Sequence, residues 1–382
     1  MKGLILQADW DPRASEGGTA AVEMACNAWR NPRLEWADLP DPTPGKNDVV
    51  IDVSVCGICG SDTHCIETDA DDYVIFSGPA EFPCTLGHEF AGTVAAVGSE
   101  VRRVRVGDLV TSEGMLYCGE CPACQAGHVN QCSTLKMIGF SHPGAFAEYA
   151  MVPEKHCFNV QSIADREGSA SKALELASLV EPLGCAQNGM FVVGPGVNPG
   201  DHVAVFGCGP IGLGAIALAQ AAGASTITAF DRTKGRVALA QKMGATHTHN
   251  SSNMSPEEQT ALIREATGGW GADVVVEAAG AALQTMPVIE ASIAPGATVV
   301  YLGRTGERAP VMLDVLVSKA ARIVGARGHA GYGIYPRIIE LIASGQIDPS
   351  PMITTRTPLA EHAQAFEQSK TREDGKILLT QP

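Results

Sequence analysis

The chain has 382 residues, of which 45% are hydrophobic and 18% are charged. This length is more than a single small domain needs, so we expect two or three domains with sizeable buried cores. The formal net charge of −15 would repel a polyphosphate backbone, and no cluster of basic residues offsets it, so we expect no nucleic-acid partner.

The N-terminus and the longest apolar stretch bear on the location of the protein. The apolar run from Gly3 to Leu6 has only four residues, too few for a signal-peptide core. The stretch from Val203 to Ala219 is interrupted by four glycines and Pro210. It is also shorter than the ~20 residues of a membrane span. We therefore expect a cytoplasmic protein that has no membrane partner.

The first chemically suggestive groups lie in the N-terminal half. They are Cys56-Gly-Ile-Cys59-Gly-Ser-Asp-Thr-His64, then Gly87-His88-Glu89, and further on Glu181-Pro182. Each is weak alone, because a lone histidine is usually a surface or satisfied core residue and a CxxC pair is also typical of redox motifs. Together they offer thiolate, imidazole and carboxylate, the ligands that zinc accepts in sites with an open position.

A compact cysteine group comes next in the chain. Twelve cysteines in a large chain without a secretion signal favour reduced thiols or metal ligands over disulfides. Four of them lie within fifteen residues, in the spacing CxxCxxCx7C, and can converge on one tetrahedral Zn²⁺. Such a site has no open position, so we predict a structural zinc that holds a loop poor in apolar residues. The alternative is four unligated or disulfide-bonded cysteines in a turn. The four are Cys118, Cys121, Cys124 and Cys132.

A glycine-rich turn follows a short apolar strand predicted over His202 to Phe206. A helix predicted over Ile211 to Ala222 comes directly after the turn. Strand, glycine turn and helix in this order place a pyrophosphate at the helix N-terminus. The next strand, Thr226 to Phe230, ends at Asp231, where a ribose-binding carboxylate is expected. The predicted dinucleotide-binding residues of the turn are Gly207, Gly209, Pro210, Ile211 and Gly212.

Asp231 also bears on the choice of coenzyme. Its carboxylate would accept hydrogen bonds from the adenosine ribose and repel a 2′-phosphate, which favours NAD. Arg232 and Arg236 complicate this choice, because an arginine beside the acid can accommodate the extra phosphate. We therefore predict NAD as the coenzyme and keep NADP as the alternative.

Helices and strands are predicted to alternate through the following hundred residues. Such alternation is typical of a parallel sheet with helices on both faces, which right-handed crossovers wind into a doubly wound domain. The alternative is a glycine-rich turn that binds no nucleotide. The predicted elements are a helix over 236–243, a strand over 272–276, a helix over 282–293, and strands over 298–302 and 322–326.

This series of motifs resembles the medium-chain zinc dehydrogenases, the superfamily of alcohol, threonine and sorbitol dehydrogenases. The resemblance covers nearly the whole chain. It implies an α/β fold in which the Rossmann sheet is joined to a mostly β, GroES-like catalytic domain with a zinc-binding lobe. Matching segments are CGICGSDTH (56–64), LGHEFAGTV (86–94), GD (107–108), the four cysteines, GAFAEYAMVP (144–153), LVEPLGCA (179–186) and the glycine turn.

The resemblance also implies the domain limits and the assembly. The catalytic domain would span residues 1–182, with the zinc lobe at 114–135, and the dinucleotide-binding domain would span residues 183–328. Residues 329–382 would return to the catalytic domain. Two segments, residues 11–31 and residues 67–83, depart from a minimal family member and are predicted to be loops. The family further implies a homodimer or homotetramer joined at sheet edges.

The family pattern implies a second, catalytic zinc, so that two Zn²⁺ are expected per chain. Its first ligands would be Cys59 and His88. The remaining position stays open between Glu89 and Glu181, since alcohol dehydrogenases use a second cysteine where this chain has Glu181. Cys185 is the less favoured substitute.

A proton relay is implied beside this zinc. The hydroxyl of Ser61 would pass the substrate proton toward His64 and solvent, and Asp62 would fix the tautomer of His88. The simpler alternatives are a turn hydroxyl for Ser61 and a surface imidazole for His64. Cys56 is expected to be a packing residue.

The substrate is predicted from polar residues near the expected cleft. Glu113 and His329 stand where a pocket for simple alcohols would be apolar, and several hydrogen-bonding groups suit a ligand with several hydroxyls. The chain is similar to the scyllo-inosose dehydrogenase branch, which implies a cyclitol or its ketone. An aminocyclitol is a variant, because Asp69, Asp71 and Asp72 could attract an ammonium.

Three alternatives to this substrate remain. Glu113 and His329 could be solvated loop residues. The same machinery would also oxidise another polyol, a sugar or a threonine-like amino alcohol. Finally, the fold could serve as a cofactor-binding sensor or a structural protein without turnover.

Overall fold

A computed structural model of the chain describes residues 1–13, 24–304 and 308–381. The chain divides into two compact units. Unit 1 contains the described residues of Met1–Glu181, Thr355–Lys370 and Lys376–Pro382. Unit 2 contains those of Pro182–Thr354 and Thr371–Gly375.

The first half of the chain is rich in short strands. The strands are β1 (Lys2–Trp10), β2 (Trp29–Asp38), β3 (Asp48–Gly57), β4 (Cys84–Thr85), β5 (Glu89–Val97), β6 (Leu109–Ser112), β7 (Met115–Leu116), β8 (Lys136–Met137), β9 (Tyr149–Pro153) and β10 (Cys157–Asn159). The helices are α1 (Gly60–Ile66), α2 (Pro122–Gln125), α3 (Gln161–Glu167), α4 (Ala170–Ser178) and α5 (Val180–Gln187).

Strands and helices alternate in the second half of the chain. The strands are β11 (His202–Phe206), β12 (Thr226–Asp231), β13 (His247–Asn250), β14 (Ala272–Glu277), β15 (Ile293–Tyr301), β16 (Arg322–Gly325), β17 (Ile353–Pro358) and β18 (Lys376–Thr380). The helices are α6 (Pro210–Ala221), α7 (Lys234–Lys242), α8 (Pro256–Ala266), α9 (Ala282–Ser292), α10 (Leu313–Lys319), α11 (Ile334–Ala343) and α12 (His362–Lys370).

Unit 1 is mostly β structure. Its largest sheet has seven strands in the order β10-β6-β5-β3-β18-β17, with β9 paired to β3. Smaller sheets have the order β2-β1-β4 and β7-β8. Apolar side chains of these strands and their connections form one core, which includes Leu4, Ile51, Phe90, Phe146 and Leu379. This unit is the mostly β domain that the sequence predicts.

Unit 2 contains a six-stranded sheet in the order β13-β12-β11-β14-β15-β16. Every neighbouring pair in it is parallel. Strands covered on both faces are apolar throughout, as in Val203–Phe206, instead of alternating. Helix α6 is likewise apolar almost all round, because eight of its twelve residues are buried. The predicted doubly wound parallel sheet is therefore confirmed.

The predicted elements of unit 2 agree with the observed ones to within a few residues, except that β15 begins five residues earlier than predicted. The elements that were not predicted include β13, α8, α10 and α11. Helix α8 carries a clear local signal, because the Ser255 hydroxyl accepts from the Glu258 N–H and the Glu258 carboxylate accepts from the Ser255 N–H. Pro256 occupies the first helical position. This capping box marks a helix start without any tertiary information.

The observed division of the chain differs from the predicted limits at the C-terminal end. The return to unit 1 was expected at residue 329, but residues up to Thr354 belong to unit 2. Helix α11 explains this, because its apolar face is buried. A Cβ placed on Gly184 would lie 3.2 Å from Ile334, which shows how closely that helix packs within unit 2. Residues 371–375 also join unit 2.

The two segments predicted to be loops are mostly irregular where the structure describes them, but residues 29–31 of the first belong to β2. Of the first, residues 14–23 lie outside the described residues, and Ala25–Asn27 form a single turn of 3₁₀ helix before β2. The second, residues 67–83, contains only isolated β-bridges such as Thr68 to Val74. In the described part of the chain, no helix is long and apolar enough to cross a bilayer.

Candidate active site and metal centres

The pairing of β3 with β5 brings Cys59, His88 and Glu89 together. Gly57, the last residue of β3, is the register partner of Glu89, the first residue of β5. Cys59 follows two residues later at the start of α1. One sulfur, one imidazole nitrogen and one carboxylate oxygen of the three residues lie within 4.8 Å of one another. We call these residues the Cys59 cluster.

Asp62 lies beside this cluster and is fully buried. Its Oδ2 accepts a hydrogen bond of 2.9 Å from the Cys59 backbone N–H, which caps α1. Its Oδ1 lies 3.4 Å from Nδ1 of His88. Burial lowers the pKa of His88, but the charges of Asp62 and Cys59 outweigh that effect and hold the pKa well above its usual value.

The Cys59 cluster fits a zinc ion by its donor chemistry. Thiolate, imidazole and carboxylate are accepted zinc ligands. Two buried polar atoms beside them, Nδ1 of His88 and Oδ1 of Asp62, have no hydrogen-bond partner. Buried polar atoms rarely lack a hydrogen-bond partner in folded proteins. A positive ion bound by the other ring nitrogen of His88 would strengthen the attraction between these two atoms.

Lys376 is a buried cation that sequence reasoning missed. Its ammonium donates to Oε2 of Glu89 and, at 3.0 Å, to the Ile58 carbonyl. Burial lowers the pKa of Lys376, but Glu89, Cys59 and Glu181 together outweigh that effect and raise the pKa above its usual value, so the lysine stays charged. A Cβ on Gly57 would lie 2.9 Å from the lysine side chain, so this position requires glycine. The sequence feature that could have indicated this buried cation is the single lysine at the start of the apolar segment KILLT.

Glu89 and Glu181 differ in their relation to the cluster. Burial raises the pKa of Glu89, Lys376 lowers it, and the charge of Glu181 raises it further. Glu181 is buried in the first turn of α5 but lies outside the group formed by Cys59, His88 and Glu89. One Glu89 oxygen is already held by Lys376.

The remaining predicted residues of α1 lie on one side of the helix. Ser61 and His64 are three residues apart and partly exposed, so they are neighbours on the helix surface. Cys56 lies in the hydrophobic core, where burial raises the pKa of its thiol well above the usual value. That position agrees with the predicted packing role.

The second group of ligands is the cysteine lobe, which we define as Cys118, Cys121, Cys124 and Cys132 with the loop 114–135 that carries them. Their four sulfurs lie within 4.8 Å of one another. Hydrogen bonds from the Ser133 backbone lower the pKa of Cys121 to about 5, and N–H groups of Glu120 and Cys121 lower that of Cys118. Burial raises the pKa of Cys124 to about 12. Four sulfurs at this separation fit one tetrahedral zinc.

The glycine turn in unit 2 has the geometry of an anion site. Gly207 has a φ of 87°, and a Cβ on Gly212 would collide with the Gly207 carbonyl. Gly209 is the N-cap of α6, with Pro210 in the first turn. The free N–H groups of this helix end and its dipole favour a phosphate. Ile211 follows within the helix.

Asp231 closes this turn from the end of β12. Its Oδ2 accepts a hydrogen bond of 2.7 Å from the Cys208 N–H. Its Oδ1 accepts from the N–H and the hydroxyl of Thr233. Arg236 lies against the turn, with one guanidinium nitrogen 3.6 Å from the position of a Cβ on Gly209. Arg232 is exposed.

The two predicted substrate residues are both buried. Glu113 is 3% exposed, and its Oε2 lies 3.2 Å from Nδ1 of the buried His156. His329 lies in unit 2, where its imidazole and the Cys185 sulfur are within 4.8 Å of each other. Neither residue is a solvated loop side chain, and Glu113 is engaged by a histidine that the sequence analysis did not consider.

The aspartates of the acidic loop lie near two arginines. Asp69 is paired with Arg13, which also lies 3.6 Å from Asp71. Asp72 lies 4.0 Å from Arg30. Arg30 is also paired with Asp11 at 2.9 Å, so two arginines face four aspartates. The attraction of Asp69, Asp71 and Asp72 for the ammonium of an aminocyclitol stays a prediction.

Comparisons with known proteins agree with both units. Residues 45–162 match the family described as alcohol dehydrogenase GroES-like domain, and residues 210–344 match the family described as zinc-binding dehydrogenase. The chain is 35% identical to the scyllo-inosose 3-dehydrogenase of Thermotoga maritima, over 97% of each protein. It is also 35% identical to the L-threonine 3-dehydrogenase of Saccharopolyspora erythraea, over 91% of this chain and 96% of that protein.

Solved structures show the same similarity. A proposed alcohol dehydrogenase from Thermotoga maritima superposes with a TM-score of 0.93 at 33% identity, covering 99% of both chains. A zinc-binding dehydrogenase from Sinorhizobium meliloti, solved with NADP, has a TM-score of 0.78 at 29% identity, with 98% of this chain and 99% of that one covered. An Escherichia coli alcohol dehydrogenase, solved with NADH, has a TM-score of 0.80 at 27% identity, with 100% and 99% covered.

The chain therefore belongs to the zinc-binding, medium-chain alcohol dehydrogenase family. It is an oxidoreductase that acts on an alcohol or polyol, as predicted, and not a sensor without turnover. Among its relatives are both scyllo-inosose and threonine dehydrogenases, so the family alone leaves the particular substrate open.

Proposed function

We propose that this enzyme transfers a hydride between NAD and the carbon that bears a secondary hydroxyl in a cyclitol or related polyol, which is the carbonyl carbon of the corresponding ketone. The observation that carries the proposal is the convergence of Cys59, His88 and Glu89 in unit 1. The similarity to the scyllo-inosose 3-dehydrogenase over 97% of the chain supports the cyclitol.

A zinc ion held by the Cys59 cluster would act as a Lewis acid that lowers the pKa of an alcohol. The protein residues around it have separate tasks. Asp62 orients the His88 ring through Nδ1, and Lys376 balances the charge of Glu89 in a buried environment. The Ser61 hydroxyl takes up the substrate proton and passes it to His64, one turn further along α1.

Glu89 and Glu181 are the two candidates for the carboxylate ligand. Proximity to Cys59 and His88 supports Glu89, whereas its ion pair with Lys376 opposes it, because one of its oxygens is already engaged. Zinc content measured in Glu89→Gln and Glu181→Gln separates them. The substitution that lowers occupancy at this site identifies the ligand, and a normal content in both variants would exclude a carboxylate.

We assign a second, structural zinc to the cysteine lobe. The lobe offers only sulfur donors, all from one short segment, and it has two thiols with lowered pKa values. An ion enclosed by four thiolates has no position left for a substrate, so this zinc would stabilise the fold and take no part in the reaction.

The substrate is tested by a panel of alcohols. Purified enzyme is given scyllo-inositol, myo-inositol, sorbitol and L-threonine with NAD or with NADP, and reduced nicotinamide is followed by absorbance. We expect the highest kcat/KM with a cyclitol and NAD. A preference for L-threonine would instead support the second candidate, which the similarity to threonine dehydrogenases favours.

The predicted homo-oligomer and cytoplasmic location stay predictions. The homo-oligomer has some support in unit 2, where β16 is an edge strand of the parallel sheet. Helix α10 beside it has no buried residue, with Val317 79% and Leu313 69% exposed. An unpaired strand edge with an apolar border suits a second copy of the chain. Light scattering on Val317→Glu against the unmodified protein tests this surface.

A further inference from the structure

A cavity of about 470 Å³ lies within unit 2, at the opposite end of α6 from the glycine turn. Its walls come from the ends of α5 and α6, from α11, and from the π-helical segment Asn188–Val193, which follows α5 directly. None of the residues that line it belongs to the Cys59 cluster, the cysteine lobe or the glycine turn. Its volume is within the range of about 300–1,000 Å³ that is typical of small-molecule sites.

The walls of this cavity are largely apolar. They include Phe191 of the π-helical segment, Leu218 of α6 and Leu341 of α11, together with Ala221 and Ala222 where α6 ends. Water in contact with such a surface is poorly held. A molecule with an apolar body would therefore displace that water with a gain in free energy.

Gln187 brings an uncharged polar group to this apolar surface. It lines the cavity and is only 6% exposed. Within residues 1–13, 24–304 and 308–381, its side-chain amide makes no hydrogen bond. Buried polar groups in folded proteins nearly always have a hydrogen-bond partner. The amide can both donate and accept, so it can bind a hydroxyl, a carbonyl or an amide of a molecule in the cavity.

The backbone next to Gln187 has an uncommon conformation. The Gly194 N–H donates a hydrogen bond of 2.9 Å to the Gly189 carbonyl, five residues earlier, as in a π-helix. A Cβ on Gly194 would lie 2.8 Å from the carbonyl oxygens of Gly189 and Met190, so this turn requires glycine. Segments of π-helix are rare and are frequent at functional sites. This one carries Phe191 into the cavity wall, four residues after Gln187.

Two side chains of α11 set the charge at the mouth of the cavity. Arg337 and Glu340 both line the cavity and are exposed. In the part of the chain that the structure describes, neither has an ion pair. They are three residues apart on the helix and are therefore neighbours on its surface, so their opposite charges offset each other. The mouth of the cavity thus suits a molecule without net charge.

We propose that this cavity binds a small neutral organic molecule that has an apolar body and one hydrogen-bonding group. The amide of Gln187 binds that group, and the apolar body packs against Phe191, Leu218 and Leu341. The site is additional to the one that performs hydride transfer, and the proposal does not depend on the substrate or the coenzyme.

Hexanamide is the probe for this site, because it joins an alkyl chain to one neutral amide. Its binding to the purified enzyme, without coenzyme, is titrated by ligand-observed NMR. Hexanoate and hexylammonium carry the same chain with a negative or a positive charge. Ala221→Trp fills the cavity from an exposed position, and Gln187→Leu removes the amide but keeps a side chain of similar size. Gln241→Trp, at an exposed position of α7, is the matched control for an added indole.

We expect hexanamide to bind the unmodified enzyme more tightly than either charged analogue does. Ala221→Trp should abolish this binding, because the indole occupies the cavity. Gln187→Leu should raise the dissociation constant by about 3-fold to 10-fold, as for the loss of one neutral hydrogen bond. Gln241→Trp should bind hexanamide as the unmodified enzyme does.

Several results would overturn the proposal. Equal binding of hexanamide to the unmodified enzyme and Ala221→Trp would place the probe elsewhere, and equal binding to Gln187→Leu would remove the role of the amide. Tighter binding of hexanoate or hexylammonium would contradict a neutral ligand. Absence of hexanamide binding would also overturn the proposal. If Ala221→Trp then had a lower mass than the unmodified protein by light scattering, the cavity would be a contact between copies of this chain.

Discussion

The two candidate metal sites of unit 1 are built in opposite ways. The cysteine lobe takes four identical ligands from fifteen consecutive residues, and Cys118 is exposed. The Cys59 cluster takes three chemically different ligands from two elements, and His88 and Glu89 are both buried. We propose that the lobe needs a metal to hold its loop, whereas the residues of the Cys59 cluster are positioned by a sheet and its core.

Because of this difference, we expect the loss of a metal to have different consequences at the two sites. The strands that carry the Cys59 cluster are fixed by the β3–β5 ladder, so the cluster should keep its shape without zinc. The cysteine lobe contains only short elements, such as the four-residue α2 and the two-residue strands β7 and β8. Its folding should depend on its zinc, since binding a structural metal contributes directly to the free energy of folding.

The largest expected effect is on turnover when the Cys59 cluster loses its sulfur. Cys59→Ser should lower kcat/KM by about 10⁴-fold, because the Lewis acid that lowers the alcohol pKa is no longer held. The melting temperature should change little, since the sheet is unaffected. Steady-state kinetics and thermal unfolding check the two halves of this prediction. A variant with normal turnover would show that Cys59 binds no catalytic metal.

The next largest effect is on stability, when Glu89 loses its buried partner. Lys376→Met should reduce the free energy of unfolding by about 3–5 kcal/mol, because it leaves an uncompensated charge in the interior. The matched control is Lys376→Met with Glu89→Gln, which removes both charges and should recover most of the loss. Urea unfolding measures both proteins.

The same variant has a defined pH dependence. The pKa of Glu89 is already raised by burial, and removing Lys376 takes away the charge that lowers it. A carboxyl whose pKa is higher in the folded than in the unfolded protein destabilises the fold as pH rises. The deficit of Lys376→Met should therefore shrink as the pH falls. A deficit independent of pH would indicate lost packing instead of an unpaired charge.

A smaller effect on turnover is expected at the proton relay. Ser61→Ala should lower kcat by about 10²-fold, as for the loss of a general acid–base group, while the zinc content stays unchanged. The pH profile of kcat should also change, which a merely structural hydroxyl would not cause. Ser61→Thr keeps the hydroxyl and is the control. Unchanged kcat in Ser61→Ala would remove the relay.

The smallest effect on turnover is expected from the cysteine lobe. Cys121→Ser should change kcat less than about tenfold, because a zinc enclosed by four thiolates has no position for a substrate. The same substitution should make residues 114–135 sensitive to protease, which limited proteolysis with mass spectrometry detects. A lobe that resists cleavage as well as the unmodified protein does would contradict a structural metal there.

The sequence predicted features that depend on neighbouring residues. The four cysteines, the turn from Gly207 to Gly212 and the strands around it are encoded within short segments, so their spacing is sufficient. The ligand set of the Cys59 cluster was predicted from the resemblance to a family. Spacing alone does not define it, because Cys59 and His88 are separated by about thirty residues and meet through strand pairing.

Features that depend on distant pairings were not predictable in the same way. The partner of Glu89 lies 287 residues away at Lys376, and that of Glu113 lies 43 residues away at His156. The placement of residues 371–375 in unit 2 rests on packing against α7, which local pattern does not reveal. A lysine in an apolar strand nevertheless indicates that an acidic partner lies nearby, because a buried charge requires a partner.

Zinc stoichiometry of the purified, reduced enzyme tests the central claim most directly. The account predicts two zinc ions per chain in the unmodified protein. It predicts one in Cys59→Ser, which should keep its structural metal, and one in Cys121→Ser, which should keep the metal bound by Cys59 and His88. A content in Cys59→Ser equal to that of the unmodified protein would contradict the assignment of a metal to the Cys59 cluster.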